Sequence, residues 1–217
     1  MTRPFDAACR ACPRLASFLD DVRTREPGYY TLPVPAFGDP AAELLIVGLA
    51  PGMHGANRTG RPFTGDYAGI LLYQTLYQFG YANHAGSADP QDGLVLTGCR
   101  ITNAVKCLPP QNKPELGEIR QCNRFLAAEV AGQPPRAILA LGTIAHQAVI
   151  MALGLRAKNY AFRHGAQHAI PASPSFPAGL SLHDSYHCSR YNTNTKRLTE
   201  PMFHQVFTDI AKHLGRS

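Results

Sequence analysis

Three sets of side chains in this 217-residue sequence are of types that carry chemistry at the spacings they show. The first lies in GLAPGMHGANRTGRPFTGD, residues 48–66, where Asn57, Arg58, Thr59, Arg61, Phe63 and Asp66 supply donors, cations, a ring and one carboxylate. Gly48, Pro51 and Gly52 interrupt regular structure there, and glycines let bare backbone approach a ligand closely. The second set is Asn103 in TNAVKC and His187 in YHCSRYNTNTKRLT, a polar amide and an imidazole beside apolar runs. The third is four thiols: Cys9 and Cys12 in a CxxC, and Cys107 and Cys122 with fourteen residues between them.

A carboxylate among donors and a ring suits a pocket floor. Asp66 also stands where a helix from Tyr67 would want its N-cap, so catalytic and capping roles are both open. Neither GxGxxG nor GxxxxGK[ST] follows the preceding apolar run, which counts against a nucleotide-cofactor enzyme. For the thiols, a tetrahedral zinc site usually draws on two local pairs, and the Cys107 to Cys122 gap offers no second one. A larger iron-sulfur cluster tolerates scattered ligands better. Cys99 reads as a core thiol, and Cys188 sits beside His187.

The elements that must position these groups follow from apolar patterning. Residues 44–47, LLIV, form a continuous apolar run of the kind a central parallel strand needs. The loop beyond such a strand's carboxyl end is where ligands sit in open α/β sheets. Further strands are expected at 95–106, 137–141 and 181–188, and helices at 13–25, 67–79, 115–132, 142–153 and 200–214. Segments 26–40, 83–93 and 156–179 read as loops from their Pro, Gly and polar content. His164, His168 and Arg163 in the last of these read as solvated. Strand and helix alternation implies a three-layer α/β/α domain around a mostly parallel four-stranded sheet, with 1–217 as one domain.

The chain is 45% hydrophobic, enough for a real core. Its charge of +6 favours a polyanionic partner without proving one. No run of about 18 apolar residues is present, so no membrane association is expected. With no apolar leader either, the expected location is cytoplasmic, where six cysteines are ligands or core residues rather than disulfides.

Taken together, GLAPGMHGANRTGRPFTGD, TNAVKC, YHCSRYNTNTKRLT and the four cysteines resemble the iron-sulfur uracil-DNA glycosylases, and more closely their family 5, over nearly the whole chain. Family 4 enzymes place Glu after the first Gly of GxAPG, where this chain has Leu49. The resemblance implies an enzyme that flips a damaged base from DNA and hydrolyses its glycosidic bond to leave an abasic site. It implies uracil as substrate and, with Leu49, a roomier pocket that also accepts hypoxanthine, xanthine or ethenocytosine. It assigns Asp66 to orient water, Asn103 to the base edge or the water, and His187 to the departing uracil O2. It gives Gly48, Ala50, Pro51, Gly52, Phe63, Asn57 and Arg58 to the base pocket, with Phe63 stacking on the base. Ser189, Arg190, Tyr191, Lys196 and Arg197 fall to DNA as a loop that wedges into or braces the minor groove. Cys9, Cys12, Cys107 and Cys122 would hold a 4Fe-4S cluster, favoured over zinc once the resemblance is counted, with Lys106, Lys113 and Arg120 near it for phosphates. Where the family usually has Pro after the motif histidine this chain has Cys188, which predicts a looser wedge loop. Two alternatives stay open, a strict family 4-type uracil enzyme and a non-catalytic cluster-stabilised DNA-binding protein. A monomer is expected.

Overall fold

A computed structural model describes residues 5–173 and 179–216. The part of the 156–179 segment that spans 174–178 lies outside the described residues. The described chain runs α1 (Pro13–Arg25), β1 (Phe37–Gly38), β2 (Leu44–Gly48), α2 (Ala56–Thr59), α3 (Tyr67–Gln78), β3 (Cys99–Asn103), α4 (Leu116–Gly132), β4 (Ala137–Leu141), α5 (Thr143–Ala152), β5 (Gln167–Ile170), β6 (Leu180–Ser185), α6 (Arg190–Asn194) and α7 (Glu200–Leu214).

All six strands form one sheet in the order β1-β3-β2-β4-β6-β5. The middle four are parallel, with Ile46 opposite Ile101 on one side and Leu139 on the other. Alternation along the strands decides which layer each residue joins. Leu44 and Ile46 pack with Leu72 and Leu76 of α3 and with Phe203, Phe207 and Ile210 of α7. Leu45 and Val47 point the other way, toward Leu15 of α1, Leu126 of α4 and Val149 of α5. Every residue of β2 and β4 is buried, as expected of strands covered on both faces. This is the expected α/β/α arrangement.

The sheet has six strands rather than four. Segments 26–40 and 156–179 each contribute an antiparallel edge strand, Phe37–Gly38 against β3 and Gln167–Ile170 against β6. An edge strand answers to one neighbour only, so it carries no continuous apolar run to betray it. His164 and His168 are correspondingly half-buried and hydrogen-bonded rather than solvated, while Arg163 is exposed. Among the described residues no helix is long and apolar enough to cross a membrane.

Candidate active site

Three parallel strands aim their carboxyl ends at one place. Gly48 ends β2, Asn103 ends β3, and Tyr186 and His187 follow β6. The loop after β2 folds back over these ends, and α3 begins where the loop finishes. Between them lies a cavity of about 440 Å³ lined by Leu49, Ala50, Gly52, Phe63, Asp66, Tyr67, Asn103, Asn112, His187, Ser189 and Arg190, with Ala56 and Ala68. Its size is ordinary for a small-molecule pocket.

Asp66 is held at the mouth of α3. Its side chain accepts from the Gly69 N–H at 2.9 Å, so the carboxylate is both a helix cap and a wall of the cavity. Burial raises its pKa above the ordinary carboxylate value, and the backbone N–H groups of Gly69 and Ala68 oppose that rise. A Cβ on Gly55 would sit 2.4 Å from Asp66 Oδ2, so only glycine leaves the carboxylate its place.

Phe63 is 5% exposed and adopts a left-handed backbone, φ 53°, a conformation a bulky residue holds only when its surroundings impose it. The constraint is visible: Tyr73 Oη donates to the Pro62 carbonyl at 2.8 Å and Arg61 clamps the other side. Arg61 reaches Asp92 at 2.9 and 2.6 Å and donates to the Asp89 carbonyl at 2.8 Å, so this arginine is a buried strut for the loop. The Phe63 ring lies nearly parallel to His187, centroids 5.8 Å apart at 28°. Burial pushes the His187 pKa down to about 4, which makes it a neutral donor at physiological pH. Asn103 is 3% exposed and its Oδ1 has no hydrogen-bond partner. An unpaired buried amide oxygen facing a cavity is a vacancy for a ligand donor.

The segment after His187 is a short helix, α6, capped by Ser189, whose Oγ accepts from Asn192 N at 3.4 Å. Asn192 Nδ2 donates back to the His187 carbonyl at 2.8 Å. The segment in which the missing proline predicts a looser loop is thus a capped helical turn. Cys188 is fully buried in the same cluster as Phe63 and Phe203, and this packing anchors the turn. Arg190 stacks over Tyr67 at 4.9 Å on the cavity rim, Tyr191 projects with 70% of its surface exposed, and Lys196 and Arg197 are exposed beyond it.

Of the anticipated pocket residues, Ala50, Gly52 and Phe63 line the cavity, as do Asp66, Asn103 and His187. Gly48 lies directly beneath, its Cα against Asn103 and Phe63. Pro51, Asn57 and Arg58 do not line it. Asn57 is buried with no side-chain partner, and Arg58 turns outward, donating to the His54 carbonyl at 2.7 Å beside a separate surface depression. Helix α2 rotates both away from the cavity, and four residues are too few to show a helical period. Ala56, Tyr67, Ala68 and Asn112 are additions. Asn112 follows Gln111 in a tight turn where both have positive φ, and the only hint in sequence is that Asn tolerates that region.

The four thiols also converge. Cys9, Cys12, Cys107 and Cys122 line one small cavity with Leu15, Pro33 and Phe125. Cys12 caps α1, Cys122 lies in α4 and Cys107 follows β3, so a group bound there would join three elements. Lys106 N donates to Cys122 Sγ at 3.3 Å, and Arg124 donates to Cys9 Sγ at 3.5 Å. Burial, with added repulsion from the neighbouring thiols, pushes Cys107 up to about 12; burial pushes Cys122 up to about 11. Thiolates would exist here only with a strong cation to hold them. Among the described residues, the four sulfurs do not form a group with all ligand atoms within 4.8 Å. Four thiolates on one zinc would lie roughly 4 Å apart at 2.3 Å bonds. A cluster that binds each thiolate to a different iron does not require that closeness. Lys106 is not available to phosphates: it is 1% exposed, bonded to Thr102 and paired with Glu129 at 2.8 Å. Lys113 and Arg120 are exposed.

A ligand pocket at the carboxyl ends of a parallel sheet, walled by a carboxylate, an unpaired amide and a neutral imidazole, with a cationic rim, lies where open α/β sheets bind their ligands and holds the residue types of an acid–base active site. A family model described as the Uracil DNA glycosylase superfamily matches residues 35–211, and the chain belongs to that superfamily. Its relatives narrow the membership to the type-5 branch. The chain is 45% identical over 215 residues to the type-5 uracil-DNA glycosylase of Thermus thermophilus, covering 96% of this chain and 94% of that protein. It is 40% identical to the type-5 enzyme of Pyrobaculum aerophilum, covering 95% and 89%, and 40% identical to that of Mycobacterium leprae, covering 96% and 93%.

Proposed function

We propose that this protein is a DNA glycosylase that excises uracil, and also other deaminated or adducted bases such as hypoxanthine, xanthine and ethenocytosine, leaving an abasic site. The observation that carries the reading is the convergence of Asp66, Asn103, Phe63 and His187 on one cavity in a chain so similar to type-5 uracil-DNA glycosylases.

The nucleotide must leave the stack to reach a pocket this deep. Tyr191, exposed beside the cavity rim, fills the gap in the duplex in this reading, with Arg190, Lys196 and Arg197 on phosphates. Inside, Phe63 packs on the base and the Asn103 amide meets its polar edge. Breaking the bond builds positive charge on the sugar and negative charge on the base. Asp66 has one oxygen committed to Gly69, and its other oxygen orients water toward the sugar or stabilises its charge. His187, uncharged, donates to the base oxygen as negative charge develops there. Leu49 lines the cavity with an apolar surface, which supports a broad base range. Cys9, Cys12, Cys107 and Cys122 would hold a 4Fe-4S cluster whose role is to pin α1, α4 and the segment after β3. The chain acts as a monomeric single domain on one lesion at a time.

The test is single-turnover cleavage of duplexes carrying one uracil, hypoxanthine, xanthine or ethenocytosine. Abasic sites at several of these bases, lost in Asp66→Ala, are expected. Uracil release alone ends the broad-range reading, and intact DNA binding without release of any base ends the catalytic one.

A further inference from the structure

Away from the cavity, the opposite edge of the sheet holds a second cluster of chemistry-bearing side chains. Asp184 of β6 is completely buried, with Oδ1 2.7 Å from Nδ1 of His146 on α5 and Oδ2 3.1 Å from Nε2 of His168 on β5. His146 is 2% exposed. Its other nitrogen, Nε2, is 2.9 Å from the Tyr160 carbonyl. A carbonyl oxygen only accepts, so Nε2 carries the hydrogen, and a neutral ring then presents a lone pair at Nδ1 to the carboxylate. Two lone pairs at 2.7 Å require a positive charge between them. Either a proton or a metal ion answers.

We propose that His146, His168 and Asp184 form a divalent transition-metal site, with zinc as the fitting ion, closed by a water on the side of His168. Their ligand atoms lie within 4.8 Å of one another, and among the described residues this is the group of His, Cys, Asp or Glu that meets that condition. Two imidazoles and a carboxylate are an established zinc donor set. Around one tetrahedral zinc such atoms sit roughly 3.4 Å apart. His146 faces Oδ1 at 2.7 Å and His168 faces Oδ2 at 3.1 Å, so an ion between the two rings takes both carboxylate oxygens or turns one toward both, and the His146 separation opens by about 0.7 Å. The Tyr160 carbonyl supplies the outer hydrogen bond that fixes a ligating imidazole's tautomer. His168 is half-buried and faces a surface depression bordered by Phe162, Arg163 and Gln167, which provides an entry path and room for the water.

Such an ion ties edge strand β5 and helix α5 to β6. Just beyond that tie, His164 Nδ1 accepts from the Tyr186 N–H at 3.2 Å, one residue before His187. The ion's role is thus structural, and it bears on the active site only through the chain that carries His187.

The experiment uses the full-length protein with its cluster intact. Zinc is titrated by calorimetry, cobalt(II) by absorption, and melting is followed with and without zinc. Wild type should bind one ion with a cobalt spectrum lacking thiolate charge transfer, and zinc should raise Tm. His168→Gln keeps a hydrogen-bonding group toward Asp184 but removes the ligand, so it should lose both the binding and the Tm shift. Its cluster absorption and base release should match wild type, which shows it is folded. No stoichiometric binding by wild type, equal binding by His168→Gln, or a thiolate cobalt spectrum each overturns the proposal. The first of these results leaves a proton on His146 as the compensating charge.

Discussion

Asp66 is bonded to Gly69: the carboxylate proposed to act on the sugar is the same group that caps α3, accepting the Gly69 N–H at 2.9 Å. Capping and catalysis are therefore not competing explanations of this aspartate. The cap fixes one oxygen and thereby fixes where the other points.

The two roles separate by substitution. Asn is as good an N-cap as Asp, whereas Ala costs about 1 kcal/mol. Asp66→Asn should melt near wild type and Asp66→Ala lower, while both lose single-turnover base release by roughly 10²-fold or more. A rate for Asp66→Asn close to wild type would remove the carboxylate charge from the mechanism.

Gly48 gives a second test. A Cβ there would lie 2.4 Å from Asn103 Oδ1 and 2.7 Å from the Phe63 ring, so Gly48→Ala must displace both. The expected result is destabilisation by about 1–3 kcal/mol from overpacking. Base release should fall further than that loss of folded protein explains. Equal loss of stability and of active fraction would mean that neither side chain needs its present position.

Much of this was legible in sequence, and the failures share a cause. The runs at Leu44 and Ala137 betray strands because burial on both faces demands continuous apolar residues, whereas β6 reads LSLHDS and buries its polar residues too. Asn103 and His187 point to the candidate site because each is polar at a strand's carboxyl end, and Asp66 because it is the one carboxylate in the Gly-rich loop beyond β2. β1 is two residues long and β5 reads QHAI, with its outward residues exposed, so neither has a pattern to detect. The misplacement of Asn57 and Arg58 is the same problem in a helix of four residues. Lys106 looks like a phosphate ligand until tertiary structure supplies Glu129 from α4, 23 positions away.

On the face proposed to meet DNA, Tyr191 is 70% exposed and has no core to serve. Tyr191→Ala should slow release of uracil from duplexes much more than from single strands, where there is no stack to hold open. Lys196→Ala should weaken binding to all sequences and lower the salt slope by about one. Equal slowing on both substrates would place Tyr191 in base binding instead.

The 4Fe-4S cluster proposed for Cys9, Cys12, Cys107 and Cys122 makes a prediction about the six cysteines. Ala at Cys107 or Cys122 should abolish the visible iron-sulfur absorption and lower Tm, since the group joins α1, α4 and the segment after β3. Cys99 is fully buried among apolar side chains, so Cys99→Ala should keep the absorption. Zinc recovered in place of iron and sulfide from protein prepared without oxygen would contradict the cluster.

Acid sensitivity follows from His183, a β6 residue that is 1% exposed and whose two ring nitrogens have no partner. Burial first, then His213 and His168, push its pKa down to about 4, while Asp209 and Asp184 pull the other way. The folded state therefore binds this proton more weakly than the unfolded chain does. The contribution to stability is complete above the unfolded value of about 6.5, falls as pH drops from there toward 4, and approaches a loss of about 3 kcal/mol. His187, also near 4, acts in the same direction, whereas in protein free of the proposed ion His146, raised against its own burial by its hydrogen bond to Asp184, is stabilising at low pH and loses that contribution as pH rises. The midpoints are therefore compared in chelator-treated protein. Replacing His183 with Leu removes one of these groups without orphaning a partner. Urea midpoints at pH 7 and pH 4.5 should thus converge in His183→Leu relative to wild type, with little change at pH 7. If both proteins lose the same midpoint on acidification, His183 is not the group that takes up the proton, and the loss belongs to the other groups held below their ordinary values, His187, His164, Asp39 and Asp92 among them.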